Sequence, residues 1–229
     1  MSCAIMQPYL FPYLGYYQLV YSVGNFVFYD DVNFIKRGYI NRNNILVNGR
    51  AQRFTIPVPG ATQNEKINTF EFSSDVRKVL KTIQQSYKKA PYFQSVYVLI
   101  EEVLTSPNRS VPYICQLSIQ KVFDYLGLDR NYFISSQLDY NREMSAADKL
   151  IAISKKLGCT LYVNSPGGIG LYQKDYFKER DIELSFIKMT AGEYAQSSNE
   201  FVPYLSMIDV LMWNSKEEVK QLLDQYELF

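Results

Sequence analysis

The chain has 229 residues, 47% hydrophobic and 21% charged, enough for one substantial soluble domain with a real core. Lys and Arg number 24 against 23 Asp and Glu, so no net field favours nucleic acid or a membrane surface. Histidine is absent, which excludes Ser-His-Asp and Cys-His catalysis and every His-containing zinc site.

The start, MSCAIMQPYL, lacks the basic stretch of a signal peptide. The longest apolar runs fall short of the ~18 residues of a membrane-spanning helix. Residues 2–6 read as a short buried strand broken by Gln7-Pro8. Pro12 suits the first turn of a helix, which Leu14, Gln18, Leu19, Val20 and Val23 carry to a stop at Gly24-Asn25. Residues 26–29 (FVFY) form a second strand. Strand, helix and strand so close together fit a βαβ unit with parallel neighbours.

Asn48-Gly49 between two apolar runs predicts a hairpin with a type I′ turn, pairing 44–47 with 50–58. Residues 67–72 alternate and predict an edge strand. Ser74 opens a helix through Val79, Leu80 and Ile83, interrupted at Ala90-Pro91. Further helices are expected over 93–105 and 111–125, the last ended by Gly127. Residues 131–135 read as a strand. Ser145 and Asp148 resemble a capping box opening a helix that closes at Gly158. Thr160 to Val163 is a strand leaving into Ser165-Pro166-Gly167-Gly168, completing a second βαβ unit. A short helix over 174–178, a strand over 183–187, and helices over 204–213 and 216–226 finish the chain. No repeat or linker interrupts it, so residues 1–229 read as one domain, with 74–127 as a candidate helical subdomain.

Three widely spaced cysteines, Cys3, Cys115 and Cys159, fit neither a disulfide framework nor a zinc site, and no metal constellation is found. A reducing cytoplasm is the natural setting. Most of the 20 tyrosines read as amphipathic packing near the surface, the sharper alternative being stacking platforms for sugars or bases.

Acid–base work falls to Asp, Glu, Lys, Tyr or a substrate amine. Asp30-Asp31 follow the second strand at its carboxyl edge, where open α/β folds bind ligands. A ligand role and a turn or helix cap fit them equally. Neighbours on a strand point to opposite faces, so the two carboxylates are not expected to share one ligand. Lys36, Arg37 and Arg42, with Asn41, Asn43 and Asn44, supply cations and amides that suit phosphate, a reading preferred over a plain solvated loop. Ser165-Pro166-Gly167-Gly168 permits close backbone approach to a ligand, but lacks the P-loop and dinucleotide fingerprints; a turn is its simpler reading.

These residues resemble the signature of the WbqC-like family: Gln7-Pro8, Phe11-Pro12-Tyr13-Leu14-Gly15-Tyr16, Asp30-Asp31-Val32, Lys36-Arg37 and Asn41-Arg42-Asn43. The resemblance continues through Ile56-Pro57-Val58, Tyr87, Lys89 to Phe93, Ser165 to Gly168, and Phe201-Val202-Pro203 with Leu205-Ser206 and Ile208-Asp209. The family often has His before Gln-Pro, where this chain has Met6. A remoter similarity links Tyr13-Leu14-Gly15-Tyr16 to the His-x-Gly-His loop of nucleotidylyl transferases and pantothenate synthetase, with both histidines replaced by Tyr.

The fold expected is α/β, an open, mostly parallel Rossmann-like sheet with a β-hairpin extension and a helical subdomain. The resemblance implies surface-polysaccharide (O-antigen, lipopolysaccharide) biosynthesis and acyl or aminoacyl transfer onto a nucleotide-linked amino deoxysugar. Asp30, Asp31 and Lys36 form the candidate catalytic group. Gln7, Tyr13, Gly15, Tyr16, Arg37, Asn41, Arg42, Asn43, Ser165, Gly167 and Gly168 form the candidate binding group. The implied co-substrate is an activated acyl donor or ATP, with no fixed cofactor. No nucleic acid or membrane partner is expected, and homo-oligomerisation stays open. The alternatives are an adenylate-forming ligase of the pantothenate synthetase type and a non-catalytic subunit of a polysaccharide assembly complex.

Overall fold

The computed structural model describes residues 1–198 and 200–229. Six strands form one sheet in the order β5-β2-β1-β6-β7-β8. They are β1 (Ser2–Met6), β2 (Asn25–Phe28), β5 (Asn131–Ile134), β6 (Leu161–Asn164), β7 (Glu183–Met189) and β8 (Tyr226–Leu228). All neighbours pair parallel except β8, which runs antiparallel to β7. A separate hairpin joins β3 (Arg42–Val47) to β4 (Arg50–Thr55). Its turn has φ of 50° at Asn48 and 75° at Gly49, the two positive values a type I′ turn requires. The architecture is thus α/β with a mostly parallel sheet and an appended hairpin, as the sequence pattern predicts.

Alternation along the strands sends side chains to two cores. Ala4, Phe26, Phe28, Val163 and Ile187 face a large cluster shared with helices α1 (Leu14–Tyr21), α2 (Arg77–Tyr87), α3 (Phe93–Leu104), α4 (Val111–Leu126), α7 (Met207–Trp213) and α8 (Lys216–Leu223). Cys3, Ile5, Val27, Tyr162, Leu184 and Phe186 face a smaller cluster with α5 (Ala146–Lys156) and α6 (Lys174–Lys178). A parallel sheet needs both faces covered, and these strands are apolar on both. Among the described residues, no helix is long and apolar enough to cross a membrane.

The chain builds β1, α1 and β2, adds β5 outside β2, then returns through α5 to place β6 on the other side of β1. The second crossover therefore spans two strands instead of joining neighbours. That reversal opens a crevice at the carboxyl ends of β1 and β6.

Several elements differ from the pattern-based expectation. Residues 67–72 form no strand: Ile67–Thr69 is a 3₁₀ turn. The Ile67 and Asn68 amides donate to the Val32 and Asp30 carbonyls, and the Thr69 hydroxyl donates back to the Lys66 carbonyl. Pro12 lies before α1, which starts at Leu14 and ends at Tyr21, because Asn25 is already paired in β2. Ser74 is not a cap, since α2 begins at Arg77 behind Val76. The last residues form β8 in place of a continued helix, because antiparallel pairing with Ile187–Met189 covers the open edge of β7.

Asp209 shows how tightly the large core is wired. It is fully buried on α7, accepts from the Tyr87 hydroxyl at 2.8 Å and from the Gln196 amide at 3.0 Å, and reaches the hairpin through the Leu46 amide on Tyr87. Burial pushes its carboxyl up from 3.8 to about 6 against the pull of those hydrogen bonds. The native state therefore binds a proton that the unfolded chain has released, so this contribution is full below about pH 4 and is lost as pH rises through 6. The rise is worth roughly 3 kcal/mol. Urea unfolding of the protein against Asp209→Asn should show the stability difference falling by about that amount between pH 4 and pH 7.5. A pH-independent difference would remove Asp209 as its source.

Candidate functional site

The crevice at the strand reversal holds a cavity of about 690 Å³. β1 leads into one wall through Gln7, Pro8 and Tyr9; β6 leads into another through Ser165 and Pro166; β7 adds Ile187, Lys188 and Met189. Five tyrosines line it, Tyr9, Tyr13, Tyr16, Tyr39 and Tyr204. Tyr39 packs on Tyr9 (ring centroids 5.7 Å apart), Tyr9 on Tyr16 (5.9 Å), and Tyr16 on Phe26 of the sheet (5.6 Å). The cavity wall is thus an aromatic ladder rooted in the core. Tyr16 keeps the packing role expected of most tyrosines and Tyr9 and Tyr13 are half-buried, while Tyr39 and Tyr204 are exposed at the cavity.

Among the described residues, no Asp or Glu lines this cavity, and Lys188 is the one formally charged residue that does, its amine directed to Glu227 at 4.0 Å. Burial raises the Tyr9 and Tyr13 hydroxyls above their ordinary range, and Tyr16 well above it. These phenols stay protonated and act as hydrogen-bond donors or stacking faces. Tyr16 donates to the Gln7 carbonyl at 2.8 Å, which fixes the exit of β1. Gly15 sits in the first turn of α1 at the cavity wall, where a Cβ would lie 2.6 Å from the Tyr13 ring.

The loop between β1 and α1 is held at Phe11, whose φ is 41°. Its amide donates to Ser118 Oγ at 3.2 Å, and its carbonyl accepts from Asn43 Nδ2 and Ser206 Oγ, both at 2.6 Å. Asn43 is buried and its amide is engaged in this clamp. Asn41 likewise donates to the Ile56 carbonyl at 2.8 Å. Both amides pin loop backbone; neither lines the cavity.

Asp30 and Asp31 are buried at the end of β2, outside the cavity lining. Asp30 accepts from Ser135 Oγ (3.0 Å), the Ser136 amide (2.9 Å) and Ser136 Oγ (2.8 Å). Asp31 accepts from the same Ser135 hydroxyl, from Tyr140 at 2.8 Å and from Arg142 Nε at 2.7 Å. The two carboxylates therefore converge on one hydroxyl, against the expectation from strand alternation. The reason is that β2 ends at Phe28, so strand alternation does not carry on to Asp30 and Asp31. Burial alone would raise the Asp31 carboxyl, but hydrogen bonds from Ser135, Tyr140 and Arg142 hold it below its ordinary value. Ser135, Tyr140 and Arg142 had no motif to mark them; only the parallel pairing of β5 with β2 brings them to the aspartates.

Lys36 and Arg37 are exposed on the loop whose neighbours Ile35, Gly38, Tyr39 and Ile40 line the cavity. Arg42 folds back, donating to the Gly38 carbonyl at 2.6 Å with its guanidinium 5.9 Å from the Tyr39 ring centre. Of the glycines after β6, Gly167 is exposed, while Gly168 is buried where any Cβ would collide with the Asn164 amide.

The model of the WbqC-like protein family matches residues 7–221. The chain belongs to the WbqC-like family. A relative, the uncharacterized protein Rv1507c of Mycobacterium tuberculosis, is 24% identical over 213 residues, covering 91% of each chain. No solved structure matches. The family match begins at Gln7, the first residue after β1, and runs through both the cavity wall and the helices α2 to α4. The WbqC-like motif residues divide in two in this fold. Gln7, Tyr13, Gly15, Tyr16 and Ser165 meet at the cavity, while Asp30, Asp31, Asn41 and Asn43 hold the loops around it.

Replacing Arg142 by Met would leave the Asp31 carboxylate buried without its cation. Because the Arg142 side chain is 34% exposed, water offsets part of the loss, and the cost should be about 1–3 kcal/mol. Chemical denaturation of Arg142→Met checks this. A change below about 0.5 kcal/mol would mean that the hydroxyl donors alone hold Asp31.

Proposed function

We propose that this WbqC-like protein is a transferase that forms an amide on the amino group of a nucleotide-linked amino sugar of surface-polysaccharide biosynthesis. The observation that carries the reading is the tyrosine-lined cavity of about 690 Å³ at the strand reversal. Its size falls within the range of small-molecule sites, and its place is where open α/β sheets bind nucleotides. Ring faces suit base and sugar, and the protonated phenols and Gln7 suit hydroxyls. The exposed Lys36 and Arg37, on the loop that rims the cavity, suit the phosphates.

An amine attacks only in its uncharged form, and among the described lining residues no carboxylate stands ready to take its proton. Its nitrogen bonds to the acyl carbon of an activated donor such as a thioester. The carbon–sulfur bond breaks, and the proton lost from nitrogen ends on the leaving thiolate. Holding the two reactants together is then the main source of rate, a contribution that reaches roughly 7–11 kcal/mol in favourable cases. Asp30 and Asp31 lie outside this cavity and hold the neighbouring loops in place through Ser135, Ser136, Tyr140 and Arg142.

Mass spectrometry after incubation with nucleotide-linked amino sugars and short acyl thioesters should show acylated sugar nucleotide. Absence of product together with absence of sugar-nucleotide binding across a broad panel would overturn the proposal. Gly15→Ala gives a second check. Alanine favours the helix by up to about 1 kcal/mol, but its methyl would displace the Tyr13 ring. Stability should stay within about 1 kcal/mol of the parent, while sugar-nucleotide Kd rises about tenfold, as calorimetry would read it.

A further inference from the structure

Beside the large cavity lies a second of about 290 Å³, with Tyr13, Met189 and Tyr204 lining both. The Tyr13 and Tyr204 rings meet edge-on, centroids 6.1 Å apart, and form the partition. Tyr204 is 67% exposed with φ of 58°, a left-handed conformation that a bulky side chain rarely holds without support. The second cavity is apolar, walled by Leu14, Tyr194, Phe201, Pro203 and Leu205, with Glu193 the one charged residue among the described residues that line it.

Charge separates the two spaces. Cations lie beside the large cavity, as Lys36 and Arg37 on its rim loop, while the Lys188 amine is paired with Glu227 at 4.0 Å. The carboxylate lies at the small one. A phosphate or carboxylate is repelled from the small cavity, and an uncharged apolar group is accepted there. An apolar cavity of 150 Å³ takes benzene, so this one holds about ten non-hydrogen atoms.

We infer that the small cavity is the subsite for the acyl group of the donor, a short uncharged chain, with Tyr13 and Tyr204 marking where acyl carbon and sugar amine meet. This rests on the transferase reading and adds the class of group transferred. Tyr204 is then a specificity-determining residue, because the partition sets how deep a chain can lie.

The test is methyl NMR of the full chain with two probes, hexanamide and UDP-N-acetylglucosamine. Hexanamide should shift the Leu14 and Leu205 methyls, which line only the small cavity, and leave Ile35 and Ile40 of the large one unmoved. The nucleotide-sugar should do the reverse. A Cβ at Gly192 meets nothing within 4 Å, so Gly192→Phe adds a side chain at this wall without a clash at the backbone. It should weaken hexanamide at least about tenfold and leave the nucleotide-sugar response intact. Unmoved Leu14 and Leu205 methyls, or a hexanamide affinity indifferent to Gly192→Phe, would overturn the subsite. A normal hexanamide response with no nucleotide-sugar response at Ile35 and Ile40 would support the apolar subsite and count against the large-cavity reading instead.

Discussion

Phe11 is fully buried, precedes a proline and holds a left-handed backbone, three conditions that oppose one another. The residue before proline is pushed towards extended conformations, and a phenylalanine at positive φ costs about 1–3 kcal/mol. Three side chains meet that cost by fixing both of its peptide groups: Ser118 from α4, Asn43 from β3 and Ser206 from the cap of α7. At about 0.5–1.5 kcal/mol net per hydrogen bond, three of them offset strain of this size. The clamp joins segments 32, 107 and 195 residues away in sequence. It turns the chain sharply between β1 and α1, and so sends Tyr9 and Tyr13 into the cavity. Hairpin, helical layer and cavity wall are all referred to this one residue.

The sequence pattern made the framework legible for a physical reason. Strands buried on both faces read as apolar runs, and Asn-Gly turns and glycine helix ends are local signals that need no tertiary partner. Asn48-Gly49 and Gly127 therefore appear where the pattern places them, with φ of 50°, 75° and 71°. Elements decided by distant pairing were not legible. Ile67–Thr69 alternates like a strand, yet its amides are taken by the loop after β2. Tyr226–Leu228 looks like a helix end until the open edge of β7 is known.

The candidate site was legible in part, by the same logic. Gln7 and Ser165 directly follow β1 and β6, and Tyr13, Gly15 and Tyr16 lie at the start of α1, the first helix after β1. Knowing the first βαβ unit and β6 is therefore nearly enough to bring them together. Polar residue type misled at Asn41 and Asn43, because an amide suited to a sugar hydroxyl suits a backbone carbonyl equally well. Tyr39 and Tyr204 carried no signal among so many tyrosines. Their roles come from loop geometry that depends on the Phe11 clamp and on the bridge between Tyr13 and Ser206.

A division of labour follows between two ends of one sheet edge. At the end of β2, buried carboxylates accept from hydroxyls, one backbone amide and one guanidinium, which ties the segment after β5 to the end of β2. At the reversal between β1 and β6, the described lining is aromatic and apolar, with Lys188 its one formally charged residue, and open to a ligand. A site without histidine, and with no Asp or Glu among its described lining residues, does not favour a reaction that needs an imidazole or carboxylate base. It suits one in which the nucleophile arrives uncharged and the leaving group carries its own driving force. The amide formation we propose meets both conditions, and on that proposal the two adjoining cavities offer each reactant a place whose polarity matches its own.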